Sequence, residues 1–248
     1  MNNPISDDSS ASNALSESAR HFMRESIGLR YSYNFNWLGR PIIQYPQDIQ
    51  AAQEIIWNTQ PDLIVETGVA HGGSVIFSAS MLALLDLCGD TSVAPGHNAP
   101  ARKVLGIDID IRQHNRQAIE AHPLGKYIQL IEGSSTSESV VKEVRRVASQ
   151  HRRVMVCLDS NHTHEHVLSE LTSYAPLVSE GCYCIVFDTI IEHLPEGTFP
   201  DRPWKRGDNP MTAIDEFMGL RTDFEIDRDW DNKLAISVAP GGYLRRMR

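Results

Sequence analysis

Short apolar runs recur along the chain and alternate with stretches in which apolar residues return at helical spacing. Five runs are rich in β-branched residues and bounded by polar residues or glycine, which is typical of strands buried on both faces of a parallel sheet. They span residues 63–65, 104–107, 127–131, 154–158 and 182–187. Helices are predicted between them, near 74–88, 111–121, 137–149 and 164–177. The alternation predicts an α/β, Rossmann-like fold with a mostly parallel sheet and helices on both faces.

The N-terminal part of the chain lacks this alternation. Residues 1–18 are polar and serine-rich, and we expect them to form a disordered tail. A short helix is predicted at 19–29 and a second at 47–58, which has apolar residues on one face. Between them, residues 31–41 form an aromatic-rich segment that either packs on the core or contributes to a lid or an oligomer contact.

The last third adds a loop at 193–210 that is rich in Pro, Gly and Asp, a helix at 211–220, and strands at 224–226 and 233–238. These two strands are expected to close the sheet as a hairpin. The loop at 89–102 is interpreted as a surface insertion. No internal repeat or second core is evident, so residues 19–248 are predicted to form one domain with an N-terminal extension at 19–58.

Composition and charge narrow the class of partner. The chain has 248 residues, 41% of them hydrophobic, and a formal net charge of −9. Without a basic stripe, that charge disfavours binding to nucleic acid or anionic membranes, so the expected partner is a small molecule. No run approaches the roughly 20 apolar residues of a membrane span, and no signal peptide is apparent. A cytoplasmic location is expected, with the four cysteines as free thiols rather than zinc ligands.

The segment Val65-Glu-Thr-Gly-Val-Ala-His-Gly-Gly-Ser74 has the form strand, glycine turn, helix. Glycines let the backbone approach a ligand, and the helix N-terminus offers unpaired N–H groups. In a doubly wound sheet this turn lies at the carboxyl ends of the strands, where ligands bind. The spacing is neither G-x-G-x-x-G nor a P-loop, which disfavours NAD and nucleoside triphosphates. A tight turn without a ligand is the alternative.

The ends of the second and third strands also carry candidate ligand-binding residues. Asp108 directly follows the second apolar run, where a carboxylate can accept both hydroxyls of a ribose. Asp110 is better placed to cap the following helix. After the third run, the small polar residues Gly133, Ser134 and Ser135 could line an adenine pocket.

Asp159 and Asp188 directly follow the fourth and fifth strands, on the same edge as the glycine turn. Two adjacent carboxylates repel unless a cation or a shared proton relieves them. A hard divalent cation such as Mg²⁺ would do so. The alternative is that each aspartate caps a helix or turn.

His162 lies three residues after Asp159, near enough to act on a hydroxyl bound to such a metal. Imidazole titrates close to neutral pH and suits a general base. Four other histidines are either pocket candidates or solvated residues: His71, His164, His166 and His193.

Several motifs together resemble the cephalosporin hydroxylase/rhamnosyl O-methyltransferase family, from about residue 31 to the C-terminus. They are Asp159-Ser-Asn-His162, Val186-Phe-Asp-Thr-Ile-Ile191, Arg202-Pro-Trp204, Asn209-Pro210 and Asn232-Lys-Leu-Ala-Ile-Ser-Val-Ala-Pro-Gly241. The two strand-end motifs are fairly specific to that family, whereas many methyltransferases share the glycine turn.

The resemblance implies a seven-stranded methyltransferase sheet that binds S-adenosylmethionine, with a divalent metal near the acceptor. It implies a metal site at Asp159 and Asp188, with His162 as the base. Residues that the resemblance assigns to the cofactor are Glu66, Gly68, Gly72, Gly73, Ser74, Asp108, Gly133, Ser134, Ser135 and Asp159.

One position departs from the family. Cephalosporin-type members carry two adjacent acidic residues at the end of the fifth strand, where this chain has Phe187 before Asp188. One metal ligand is therefore missing, and Thr189 or water is expected in its place. The departure favours the sugar-methylating branch.

The sequence thus predicts an O-methyltransferase that acts on a hydroxyl of a deoxysugar. One alternative is an iron oxygenase, with His162, Asp159 and His193 as ligands. The other is a non-catalytic module that keeps only the cofactor pocket. The aromatic segment and Trp204 are expected to line the acceptor pocket, and a homo-oligomer is a further expectation.

Overall fold

A helix and a small hairpin precede the main sheet in the computed structural model, which describes residues 9–89 and 102–248. Helix α1 (Ser9–Gly28) is followed by strands β1 (Phe35–Trp37) and β2 (Arg40–Ile42), which pair antiparallel, and by helix α2 (Pro46–Thr59). Helix α1 includes residues 9–18, which the composition predicts to be part of a disordered tail, because each residue added to an already nucleated helix gains a hydrogen bond that offsets its poor propensity. Residues 1–8 of that tail lie outside the described part.

Five parallel strands and four helices then alternate as the hydrophobic pattern predicts. The strands are β3 (Leu63–Thr67), β4 (Lys103–Asp108), β5 (Ile128–Glu132), β6 (Val154–Leu158) and β7 (Tyr183–Val186). The helices are α3 (Gly73–Cys88), α4 (Gln113–Glu120), α5 (Glu138–Ala148) and α6 (His164–Tyr174). All bounds agree with the predicted ones to within three residues. The expected surface insertion falls mostly on residues 90–101, outside the described ranges.

The C-terminal part adds α7 (Pro210–Gly219), β8 (Phe224–Ile226), α8 (Arg228–Leu234) and β9 (Tyr243–Arg246). The predicted strand at 233–238 is wrong, since β9 is the antiparallel partner of β8. Asp227 starts α8 by accepting the Asp229 N–H. The backbone N–H of Val238 bonds to the Asp48 side chain instead of joining the sheet.

The seven strands lie in the order β5-β4-β3-β6-β7-β9-β8, with β9 antiparallel to both neighbours. This is the Rossmann-like, mostly parallel sheet that the sequence predicts. Strands β3 and β6 are completely buried, since one apolar core packs on each face of the sheet. The connections from β3 lead outward to β4 and β5, and the chain then returns to β6 on the other side. That reversal opens a crevice at the carboxyl ends of β3 and β6.

Two further expectations concern the thiols and the membrane. All four cysteines are free, as expected, and only Cys88 is exposed. Among the described residues, no helix combines the length and the apolar character that a bilayer span requires.

Candidate active site

The glycine turn is held by close packing against the rest of the protein. Gly68 has φ +89°, and a Cβ there would lie 2.0 Å from the backbone oxygen of Asp159. A Cβ on Gly73 would lie 2.2 Å from the Pro41 oxygen of strand β2, and one on Gly72 would meet the Ile119 side chain at 2.5 Å. The glycines therefore bring together the turn, the end of β6 and the N-terminal hairpin.

Asp108, the predicted ribose ligand, holds the same turn. Its Oδ2 accepts the backbone N–H groups of Val69 at 2.8 Å and Ala70 at 3.0 Å, and its Oδ1 accepts that of Asp110. The carboxylate thus lies at the rim of the glycine turn, with both oxygens engaged by backbone donors.

Arg40 and Asn115 complete this support, and sequence reasoning missed both. Arg40 donates to the His71 carbonyl and to the Asn115 side chain, while Asn115 donates to the Ala70 carbonyl at 3.0 Å. The two residues belong to β2 and α4, so no local pattern connects them with the turn.

Three side chains from the ends of β6 and β7 converge beside the turn. Ligand atoms of Asp159, His162 and Asp188 all lie within 4.8 Å of one another, and His162 Nε2 is 3.3 Å from Asp188 Oδ2. Asp188 adopts the left-handed conformation (φ 58°), which aspartate tolerates better than most residues. The two predicted metal-binding aspartates and the predicted base therefore meet at one point.

The cluster concentrates negative charge in a partly buried place. Burial, and then the neighbouring Asp188 and Glu66, raise the pKa of Asp159 well above its ordinary value. Burial also raises the pKa of Glu66 to about 7, although Ser74 and Ser78 donate hydrogen bonds to it. A cation bound here would relieve the repulsion between the carboxylates.

The glycine turn and the cluster of Asp159, His162 and Asp188 line one large cavity of about 760 Å³. Trp204 packs edge-to-face on His162 with ring centroids 4.6 Å apart, and the Arg202 guanidinium lies over the Trp204 ring. The lining comes from the N-terminal extension, the strand ends and the loop after β7, and it includes Tyr33, Gly68, His71, Gly73, Ser74, Asp159, His162, Asp188, Phe199 and Trp204. This volume lies within the range of small-molecule sites.

Residues 29–247 match the sequence model described as Rhamnosyl O-methyltransferase/CmcI. The chain belongs to this family. A rhamnosyl O-methyltransferase of Mycobacterium leprae is 27% identical over 215 residues, covering 85% of this chain and 82% of the relative. One from Mycobacterium tuberculosis (strain H37Rv) is 27% identical over 202 residues, covering 80% and 73%.

The Rhamnosyl O-methyltransferase/CmcI family also has solved structures with the same fold. CmcI with Mg and SAM aligns with a TM-score of 0.57 at 20% identity, covering 87% of this chain and 78% of that one. An apo-structure of CmcI gives 0.57 at 20% identity, covering 87% and 77%. The family resemblance predicted from the strand-end motifs is confirmed.

Several residues that the family resemblance assigns to the site do not line the large cavity. Gly133, Ser134 and Ser135 lie at the end of β5, where the Ser135 hydroxyl is 3.1 Å from His166 Nε2. Glu66 borders a smaller cavity instead. The Thr189 hydroxyl, expected to replace the missing acidic ligand, donates to the Pro240 carbonyl at 2.8 Å. The turn at Asp188 directs it there, away from the cavity lining.

The other histidines separate into distinct environments. His71 lines the cavity, and His193 is exposed. His164 is not simply solvated, because its ring contacts Thr212 and Glu216 of α7. His166 contacts Ser160 and the fully buried Glu170 as well as Ser135. These contacts join elements that are far apart in the sequence. Sequence spacing alone therefore favoured a solvent-exposed position for His164 and His166.

Proposed function

We propose that this protein transfers the methyl group of S-adenosylmethionine to a sugar hydroxyl, with a divalent cation such as Mg²⁺ at Asp159 and Asp188. A rhamnosyl-type deoxysugar of a glycoside or natural product is the proposed acceptor. The observation that carries this is the convergence of Asp159, His162 and Asp188 beside the glycine turn, within one cavity. Membership of a rhamnosyl O-methyltransferase family supports the reaction type and the sugar.

The residues present fit both groups. Oxygen donors from two aspartates suit Mg²⁺, and burial together with the neighbouring Asp188 raises the pKa of Asp159, a repulsion that a bound cation would relieve. The cofactor end is formed by the glycine turn and the N-terminus of α3, where backbone N–H groups and the acidic surroundings suit a cofactor that carries both a carboxylate and positive charge. In this proposal Glu66, Asp108 and the residues 133–135 surround that end.

When bound, S-adenosylmethionine would supply the methyl group and leave as S-adenosylhomocysteine, and a cation would lower the pKa of the acceptor hydroxyl. Asp159 and Asp188 would hold that cation. His162 Nε2 removes the proton of the acceptor hydroxyl, and Asp188 Oδ2, 3.3 Å away, stabilises the resulting imidazolium. Trp204 and Tyr33 offer aromatic faces to the sugar ring. Alignment of oxygen and methyl group within one cavity supplies much of the rate.

The geometry argues against the iron-oxygenase alternative. That alternative requires two histidines and one carboxylate on one metal. The described cluster contains one histidine and two carboxylates, and His193 is exposed outside it. The following experiment distinguishes the proposed methyltransferase from a non-catalytic module that only binds the cofactor.

We expect Asp159→Ala to reduce production of S-adenosylhomocysteine below detection, with Mg²⁺ and a rhamnosylated acceptor present, because the cation loses a ligand. Binding of S-adenosylmethionine, measured by calorimetry, should change little. Asp201→Ala is the matched control, since Asp201 lines the same cavity but is exposed and outside the cluster. Complete loss of cofactor binding in Asp159→Ala would refute the metal assignment, and a wild-type protein inactive on every hydroxylated acceptor would favour the binding module.

A further inference from the structure

We infer that Gln44 is a positioning residue for Asp159 and that the small cavity beside it binds one water molecule. The inference rests on the proposed function, because it concerns the carboxylate that is proposed to hold the cation. Gln44 follows β2 in the N-terminal extension and is only 7% exposed. It lies far in the sequence from the ends of β6 and β7, which carry the cluster.

The Gln44 amide makes a direct contact with the cluster. Its Nε2 donates to Asp159 Oδ2 at 2.9 Å, across 115 positions of the sequence. Such a donor fixes the orientation of the carboxylate and therefore the direction in which its other oxygen faces.

The other end of the amide indicates the water site. Gln44 Oε1 is buried without a hydrogen-bond partner among the described residues, and so is Glu66 Oε1. Both side chains, and Asp159, border the same small cavity of about 30 Å³. That volume suits one water molecule. A water donates two hydrogen bonds and can satisfy both acceptors, which links Glu66 to Asp159 through Gln44.

Strand β2 fixes the position of Gln44. Its residues Pro41 and Ile42 lie so close to Gly73 that a Cβ there would be 2.2 Å and 2.6 Å from their atoms. The segment that closes over the glycine turn therefore also delivers the amide to Asp159. The N-terminal extension therefore contacts both the glycine turn and the carboxylate of Asp159.

The test measures binding of Mn²⁺ alone by electron paramagnetic resonance, with thermal unfolding measured in parallel. We expect Gln44→Met to weaken Mn²⁺ binding by about 10- to 100-fold, the usual effect of removing a partner of a metal ligand. Gln47→Met is the matched control, because Gln47 Oε1 is also buried without a partner but Gln47 does not border the cavity. The two variants should unfold at similar temperatures.

Gln44→Asn provides a second measurement should Gln44→Met not fold, since it keeps the amide but is too short to reach Asp159. Mn²⁺ binding by Gln44→Asn or Gln44→Met within twofold of wild type would overturn the positioning role, as would an equal loss in Gln47→Met. A high-resolution crystal structure without an ordered water between Gln44 and Glu66 would overturn the water site. If wild type itself binds no Mn²⁺, the proposed function fails instead.

Discussion

At the strand ends of this protein, single residues hold the backbone next to the residues that are proposed to react. Gly68, in the glycine turn, packs so closely against the backbone of Asp159 that no side chain would fit there. Asp108 uses its carboxylate to hold the backbone of Val69 and Ala70. The position of the proposed metal ligand therefore depends on residues that never touch the metal.

We expect Gly68→Ala to destabilise the protein by more than ~3 kcal/mol, because it adds a steric clash at 2.0 Å to the strain of a positive φ. Gly197→Ala is the control, since Gly197 has φ +79° but open space around its Cβ position. That variant should lose only ~1–2 kcal/mol. Urea unfolding followed by circular dichroism gives both values, and equal losses would show that backbone strain, rather than the contact with Asp159, makes Gly68 necessary.

At the scale of elements, the first turn of α2 binds the C-terminal segment. Asp48 is 1% exposed and accepts hydrogen bonds from the Ser237 hydroxyl at 2.6 Å, the Val238 N–H at 3.0 Å and the Tyr243 hydroxyl at 2.9 Å. Burial nevertheless raises the pKa of Asp48 to about 6. The extension and the last strand are thus joined by a carboxyl group that titrates under mild conditions.

This titration has a defined sign. The folded state favours protonated Asp48, so its stabilising contribution is complete below pH ~4 and is lost as the pH rises through about 6. The difference in unfolding free energy between wild type and Asp48→Asn should shrink by ~2 kcal/mol between pH 4.5 and 8. Urea midpoints in chelator-containing buffers measure it. Parallel pH profiles for the two proteins would contradict the assignment, because only wild type carries the titrating group.

Elements were easier to predict from the sequence than side-chain partners. Strands β3 to β7 could be predicted from local hydrophobic runs. Because parallel strands end at the same edge of a sheet, the position of their carboxyl ends could be predicted as well. The strand expected at 233–238 was wrong because its hydrogen bonds go to Asp48, almost 190 positions away. Gln44 and Arg40 were missed for the same reason, since their partners are defined only by the folded extension. The polar identity of Thr189 gave no indication that its hydroxyl would turn towards Pro240.

At the scale of the whole molecule, one large cavity is lined by three parts of the chain. They are the glycine turn, the cluster of Asp159, His162 and Asp188, and the loop after β7, which includes Phe199 and Trp204. Under the proposed function the glycine turn binds the cofactor and the loop binds the acceptor, so substitutions in these two parts should affect different constants.

We expect Trp204→Ala to raise KM for a rhamnosylated acceptor up to about tenfold, since an aromatic contact of 0.5–1.5 kcal/mol would be lost. The dissociation constant of S-adenosylmethionine should stay within twofold, because Trp204 belongs to the loop after β7 and not to the glycine turn. Trp204→Phe should recover most of the acceptor affinity. Trp57→Ala is the control, as Trp57 is 44% exposed on α2 and does not line the cavity. Steady-state kinetics measure KM, and calorimetry measures the dissociation constant of S-adenosylmethionine. Weakened cofactor binding with an unchanged KM would contradict the assignment of Trp204 to the acceptor.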